Sequence, residues 1–239
     1  MKLIESIKEK ALEHAKEDFP KESVGLVHIV KGKQRYFPCK NQATNPEEHF
    51  VLDPADYLEA EKLGSIAAVI HSHPTTNHAP SEADKVACEK SKLPWFIVNP
   101  QTENWGEYKP SGFELPYVGR EWSHGIVDCY TLIRDFYKRE FKIELKDYNR
   151  QDDWWLKGQN LYVDNFKKEG FKEIEIEEAK YGDLFLMTIQ SPVVNHGSIY
   201  LGENLVLHHV QGRLSSRDVY KWGGYYYKAT ALGLRHESR

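Results

Sequence analysis

Two groups of side chains in this sequence have the residue types that hydrolytic chemistry needs. The first is His71 and His73, in His-Ser-His-Pro, followed by Ser81 and Asp84. If residues 66–71 form a strand, imidazoles two apart point to one face and can share a metal ion. Asp84, in the first turn of a helix capped by Ser81, can face back toward that strand end. Two imidazoles and a carboxylate make a three-ligand zinc site with a fourth position for water, whose pKa zinc lowers toward about 7. Ser-Glu-Ala-Asp is also an ordinary helix-capping pattern, and capping and metal binding are compatible. His78 falls inside the intervening loop and reads as a loop residue. The second group centres on Cys129, which follows Asp128 at the start of a predicted helix. Backbone N–H groups and the helix dipole favour a thiolate there. His196 and His208 each lie near the start of a predicted strand. Adjacent antiparallel strands would set the two imidazoles side by side, His196 taking the proton from Cys129 and His208 holding the other ring nitrogen. His209 should point to the opposite face and ranks second. Cys39 and Cys88 read as small buried thiols.

Regular elements must position these groups. Ile4, Ile7, Ala11 and Ala15 recur at helical spacing among Lys and Glu, which predicts an amphipathic first helix and excludes a signal peptide. Val24–Val30 and Arg35–Cys39 read as strands paired across a Lys-Gly turn. Asp53-Pro54 starts a helix that ends at Gly64. A buried strand over Ile66–His71, a helix over Ser81–Ser91 and a strand over Trp95–Val98 complete α/β material. Lys109-Pro110-Ser111-Gly112 forms turns, and the spacing predicts a domain boundary there, giving domains 1–112 and 113–239. In the second half a helix is expected from Asp128 to about Phe141, and another from about Asp152 to Glu169. Strands follow over Asp183–Ile189, Gly197–Leu201, Leu205–Val210 and Tyr225–Leu234. Helices followed by strands make an α+β domain.

Composition removes several classes. Residues 1–112 carry 14 basic and 17 acidic side chains and residues 113–239 carry 18 and 19, so neither half presents a nucleic-acid surface. No apolar run reaches the roughly 18 residues a membrane span needs. Three cysteines are too few and too odd in number for a disulfide framework.

The His71, His73, Ser81, Asp84 spacing resembles the JAMM (MPN+) metallopeptidase family over about residues 1–112. The resemblance implies an α/β sandwich, zinc held by His71, His73 and Asp84, and Ser81 stabilising the tetrahedral intermediate. It makes Glu22, in Glu-Ser-Val-Gly-Leu-Val, the general base. From Phe113 onward Pro116-Tyr117, Gly-Ile-Val-Asp-Cys, Tyr181-Gly-Asp-Leu and Asn-His-Gly-Ser-Ile-Tyr-Leu-Gly are similar to the NlpC-type cell-wall cysteine peptidases. That implies a papain-like α+β domain, hydrolysis of amide bonds in peptidoglycan stem peptides, and Tyr117 supporting the oxyanion site or substrate. The sequence departs from that pattern where Tyr130-Thr131 replace a Ser-Gly pair after the cysteine and Val118-Gly119-Arg120 replace Trp-Gly-Gly. The two domains in this order resemble a family of siphophage tail assembly proteins. That resemblance implies other tail-tip proteins as partners, peptidoglycan peptide as substrate, assembly in the host cytoplasm, and action at the cell wall from the virion tail tip. A structural tail-tip subunit, or a processing protease for a tail protein, are the alternative readings.

Overall fold

Helix α1 (Glu5–Asp18) forms because its apolar residues recur on one side: Ile7, Ala11 and Ala15 are buried, joined by Leu3 just before the helix. Ile4, expected on that face, is the N-cap and stays exposed, because the chain there is still extended. In the computed structural model, which describes residues 1–239, the chain divides into two units, Met1–Glu114 and Leu115–Arg239.

In the first unit, strands β1 (Val24–Val30) and β2 (Lys33–Cys39) form a hairpin. Lys31 and Gly32 both take positive φ at its turn, the mirror-image turn that suits the twist of paired strands. Helix α2 (Pro54–Leu63) is capped by Asp53, whose Oδ1 accepts from Ala55 N at 2.8 Å. It ends at Gly64, where a Cβ would collide with the Ile29 carbonyl. Strand β3 (Ser65–Ser72) enters the sheet beside β1, and helix α3 (Glu82–Ser91) returns the chain to β4 (Trp95–Val98), parallel to β3. An antiparallel strand that the sequence reading missed, β5 (Trp105–Tyr108), closes the order β2-β1-β3-β4-β5. Apolar clusters line both faces of the sheet. One lies around Leu3, Ile7, Val27 and Ile70, the other around Val24, Leu26, Cys88 and Trp95.

The second unit packs helix α4 (Cys129–Phe136), continued by a π-helical turn over Tyr137–Phe141, against a six-stranded antiparallel sheet. The strands are β6 (Phe171–Ile174), β7 (Leu184–Met187), β8 (His196–Gly202), β9 (Leu205–His208), β10 (Ser216–Val219) and β11 (Thr230–His236), in the order β10-β9-β8-β7-β11-β6. Two expectations need correction. The helix expected over 152–169 is instead a 3₁₀ turn (Trp154–Leu156) and a short helix α5 (Leu161–Asn165). Asp153 and Gly158 both take positive φ, which stops an α-helix, and Trp154 is buried as an anchor. The final strand expected from Tyr225 begins with a helical turn, α6 (Tyr225–Ala229), and becomes extended only at Thr230.

Candidate functional sites

In the first unit the site forms at the end of β3. His71 is paired with Val24 on one side and Ile97 on the other, so its backbone is fixed in the middle of the sheet. His73 lies just beyond the strand end, and its N–H donates to Val98 O at 2.9 Å. Ser72, between them, faces the other way: its Oγ accepts from Ser23 N at 2.8 Å. That clasp brings the start of β1, and with it Glu22, beside the two histidines. Asn99 Nδ2 donates to the carbonyls of His73 (3.0 Å) and Thr76 (2.7 Å), while its Oδ1 accepts from Gln101 and Thr102 N–H. Asn41 does the same for the segment facing it, donating to Glu22 O and His49 O.

The side chains converge. The two Nε2 atoms of His71 and His73 are 3.1 Å apart. Asp84 Oδ1 lies 3.2 Å from His71 Nε2, and Oδ2 lies 3.2 Å from His73 Nε2. His73 Nδ1 is 2.8 Å from Asn77 O. A carbonyl can only accept, so the proton of neutral His73 sits on Nδ1 and its Nε2 lone pair points inward. Ligands about 2.1 Å from a tetrahedral ion stand somewhat over 3 Å apart, the spacing seen here, so this donor set fits zinc. Burial holds the His71 pKa below its ordinary value, and its Nδ1 is buried without a partner. For His73 burial also pulls the pKa down, but the bonds to Asp84 and Asn77 outweigh it and raise it overall. Burial alone would raise Asp84, yet the two imidazoles hold it far below the carboxylate range. Glu22 is buried close enough to His73 and Asp84 to feel both charges. Burial pushes its carboxyl up to about 8; His73 opposes this shift and Asp84 adds to it. Ser81 is occupied by a capping box: its Oγ accepts from Asp84 N at 3.1 Å and donates to Asp84 Oδ2 at 2.8 Å. His78 lies outside the ligand cluster, its backbone carbonyl pressed against Gly106 of β5.

In the second unit Cys129 opens α4. Asp128 caps the helix, its Oδ1 accepting from Thr131 N (2.8 Å) and Thr131 Oγ1 (3.1 Å). Its Oδ2 receives Arg150 Nε at 2.8 Å. Burial would raise Asp128, but Arg150 and the Thr131 N–H hold it below its ordinary value. Cys129 lines a cavity of about 330 Å³ with His196, Tyr162, Trp122, Trp155 and Gln211. Its thiol is pushed up to about 11, first by burial and then by the Asp128 carboxylate. His196 is pulled down to about 3 by burial and by the neighbouring histidines. A resting thiolate, expected from the helix start, is therefore not what this environment favours. Burial and the capping carboxylate both favour the uncharged thiol, and burial favours the neutral imidazole.

His196 Nε2 lies 3.2 Å from His208 Nδ1, so β8 and β9 bring the expected pair together. Beyond it, His208 Nε2 lies 3.2 Å from Asp218 Oδ2 on β10, off the axis of an aligned hydrogen bond. His209 faces away and donates from Nε2 to Arg213 O at 3.1 Å. Tyr117 is not where the resemblance placed it. Its hydroxyl donates to Glu140 Oε1 at 3.0 Å, and its ring packs on Phe136 at the far end of α4. The hydroxyl on the sulfur is that of Tyr162, 3.2 Å from Cys129 Sγ. Sequence reading missed Tyr162 and Asp218 because no local pattern marks them; each reaches the site only through sheet and loop packing. The departures beside the cysteine have structural tasks. Arg120 is buried and donates to Asp135 Oδ2 at 2.7 Å, and Tyr130 OH donates to Lys146 O at 2.7 Å. Cys39 and Cys88 are buried, their thiols pushed up to about 12 and about 11 by burial.

Comparison with known proteins agrees with this division. Residues 5–109 match the family described as prokaryotic homologs of the JAB domain, and residues 105–235 match the NlpC/P60 family. Tail tip assembly protein K of Escherichia phage N15 is 38% identical over 94% of this chain and 91% of its own length. The protein of the same name from Escherichia phage lambda is 41% identical over 72% of this chain and 84% of its own. Among solved structures, a JAB1/MPN domain protein from Archaeoglobus fulgidus aligns at 23% identity over 46% of this chain and 87% of that one, with a TM-score of 0.31. The chain belongs to the phage tail tip assembly protein K family, with a JAB domain followed by an NlpC/P60 domain.

Proposed function

We propose that the second unit is a cysteine peptidase that cleaves amide bonds of peptidoglycan stem peptides from the phage tail tip. The observation that carries this reading is the cavity shared by Cys129 and His196, with His208 directly behind. In the reaction the Cys129 thiol gives its proton to His196 as sulfur bonds to the substrate carbonyl carbon. The carbon–nitrogen bond then breaks, and His196 returns the proton to the departing amine. Water hydrolyses the thioester by the same path in reverse, restoring the thiol. His208 holds the His196 ring at Nε2 throughout. Tyr162 O–H, against the sulfur, can donate to it as charge develops. The uncharged resting pair places proton transfer within the attack itself. The protein would assemble with other tail-tip proteins in the host cytoplasm and act at the cell wall once the virion has attached.

The first unit supports a second, zinc-dependent peptidase or isopeptidase site. His71, His73 and Asp84 would hold the ion, which when bound supplies Lewis acidity toward a carbonyl or water. Glu22, raised toward neutrality and beside His73, is placed to accept and return a proton. Ser81 positions Asp84 through the capping box, its hydroxyl donating to Asp84 Oδ2.

Purified protein incubated with stem peptides tests both readings at once. Wild-type protein should cleave and Cys129→Ala should not, while a chelator leaves cleavage unchanged. Metal analysis should find about one zinc per chain, absent in His73→Ala. Cleavage by Cys129→Ala, or full zinc in His73→Ala, would overturn the corresponding assignment.

A further inference from the structure

Three side chains from three adjacent strands form a line leading away from the Cys129 cavity: His196 on β8, His208 on β9 and Asp218 on β10. The register explains how. His208 is directly opposite Ser198 on β8 and Ser216 on β10. His196 is two residues before Ser198 and Asp218 two after Ser216, so all three line one face of the sheet as diagonal neighbours. The residues opposite His208 are serines, small enough to let the longer side chains lean across.

Asp218 is held firmly. Its Oδ1 accepts from Ser216 Oγ at 2.9 Å, and its Oδ2 accepts from Tyr226 OH at 2.9 Å and from Arg213 at 3.2 Å. Those donors keep the carboxylate ionised against its partial burial. Tyr226 also packs edge-on against His208, with ring centroids 4.8 Å apart, which fixes the imidazole plane.

A neutral imidazole carries one proton on either of two nitrogens, and the two choices have opposite consequences here. If His208 carries it on Nδ1, that N–H points at His196 Nε2. His196 must then carry its own proton on Nδ1, and neither of its nitrogens can take one from a thiol. If His208 carries it on Nε2, Nδ1 accepts from His196 Nε2–H, and His196 Nδ1 is left with a lone pair. A carboxylate 3.2 Å from His208 Nε2 favours the second choice through its charge, even off the hydrogen-bond axis. We propose that Asp218 is a positioning residue that orders the protons of His208 and His196, leaving His196 Nδ1 as the atom that accepts from Cys129. This rests on the cysteine-peptidase reading for its catalytic meaning, but the proton order is a property of the folded protein alone.

The test is imidazole ¹⁵N NMR of the full chain labelled at histidine, with His196 and His208 identified by single replacement. Wild-type protein should show both rings protonated at Nε2 and bare at Nδ1. Asp218→Ala should convert His208 to a mixture of tautomers or to the Nδ1–H form, and His196 should follow. Asp218→Glu keeps the carboxylate charge and should keep the wild-type tautomers, whereas Asp218→Asn, which keeps the shape but not the charge, should shift them as Asp218→Ala does. In stem-peptide hydrolysis Asp218→Ala should lose about 10–100-fold in kcat with little change in KM, the scale for groups acting through another residue. Asp218→Glu should recover part of that loss. A wild-type His208 protonated at Nδ1 would overturn the proposal without any variant. So would Asp218→Ala protein, folded by its amide spectrum, that keeps both wild-type tautomers. The ordered tautomers in a wild-type protein that cleaves no stem peptide would instead count against the substrate assignment and leave the proton order standing.

Discussion

Arg150→Met should be among the most damaging single replacements in the second unit, and the reason can be worked through from the geometry. Arg150 is nearly buried, and its guanidinium donates to Asp128 Oδ2 (2.8 Å), Gly125 O (3.0 Å), Tyr148 O (2.6 Å) and Asp147 Oδ1 (3.2 Å). Asp128 is only 2% exposed. Met replaces much of the side-chain volume but none of the charge. Asp128 would keep the N–H groups of Gly125 and Thr131 and the Thr131 hydroxyl, but would lose its cation. Breaking one side of a buried pair costs about 3–5 kcal/mol, because the remaining charge stays desolvated. For a unit of this size each kcal/mol lowers Tm by roughly 3–6 °C, so the expected shift is of order 10–25 °C.

Scanning calorimetry of the full chain should show one transition falling by that amount and the other unmoved. The sign with pH follows from Asp128. Its folded pKa lies below its unfolded value, near 3.9, so its contribution is present above that range and is lost as pH falls through the folded value. In Arg150→Met the carboxyl pKa should rise, so the gap between variant and wild type should narrow as pH falls through that raised value. Asp128→Asn can still cap α4 through its carboxamide oxygen, so the double variant Asp128→Asn/Arg150→Met should recover a large part of the loss. A single variant melting within 2 °C of wild type, or a double variant as unstable as the sum of the two, would refute the argument.

Two further outcomes are expected. Iodoacetamide should label Cys129 before Cys39 and Cys88, because only Cys129 lines the 330 Å³ cavity, and its rate should climb steadily through pH 9–10 because the thiol sits at about 11; a plateau below pH 8 by mass spectrometry would mean a resting thiolate after all. Asn99→Ala leaves the N–H groups of Gln101 and Thr102 and the carbonyls of His73 and Thr76 without partners, so the first unit should lose about 2–4 kcal/mol in chemical denaturation and hold zinc more weakly; unchanged stability and affinity would remove Asn99 from the frame of the site.

The part of each site that could be read from sequence is the part written in local spacing. His71 at a strand end with His73 two residues on, Ser81 and Asp84 across a helix cap, and Asp128-Cys129 at a helix start are all fixed within a few residues, and the observed elements place them so. His196 and His208 were accessible because consecutive antiparallel strands are neighbours. What escaped was contributed at long range. Tyr162 reaches Cys129 across 33 residues from a segment whose Trp-rich composition suggested a longer helix. Asp218 sits on a four-residue strand, Ser216–Val219, whose polar sequence carries no strand signal. Tyr117 was assigned by its place before the cysteine, and nothing local showed that Glu140 would hold its hydroxyl.

Both sites use a carboxylate in a helix cap, and comparing them shows why the same device has opposite electrostatic consequences. Asp84 is the third residue of α3 and turns back on its own N-cap through Oδ2, which also faces His73, while Oδ1 faces His71. Its charge and the inward-facing imidazole nitrogens make a donor set compatible with a metal ion, one that capping has already ordered. Asp128 is itself the N-cap of α4, one residue before Cys129, and its charge faces a thiol that must become negative in the proposed reaction. There the cap orders Cys129 but opposes its ionisation, and Arg150 offsets part of that field. In the proposed reaction a thiol held neutral in this way reacts only as His196 takes its proton in the same step as attack. That proposal makes the proton order of His196 decisive for the second unit, whereas a metal site in the first unit would depend on keeping its three donor atoms together.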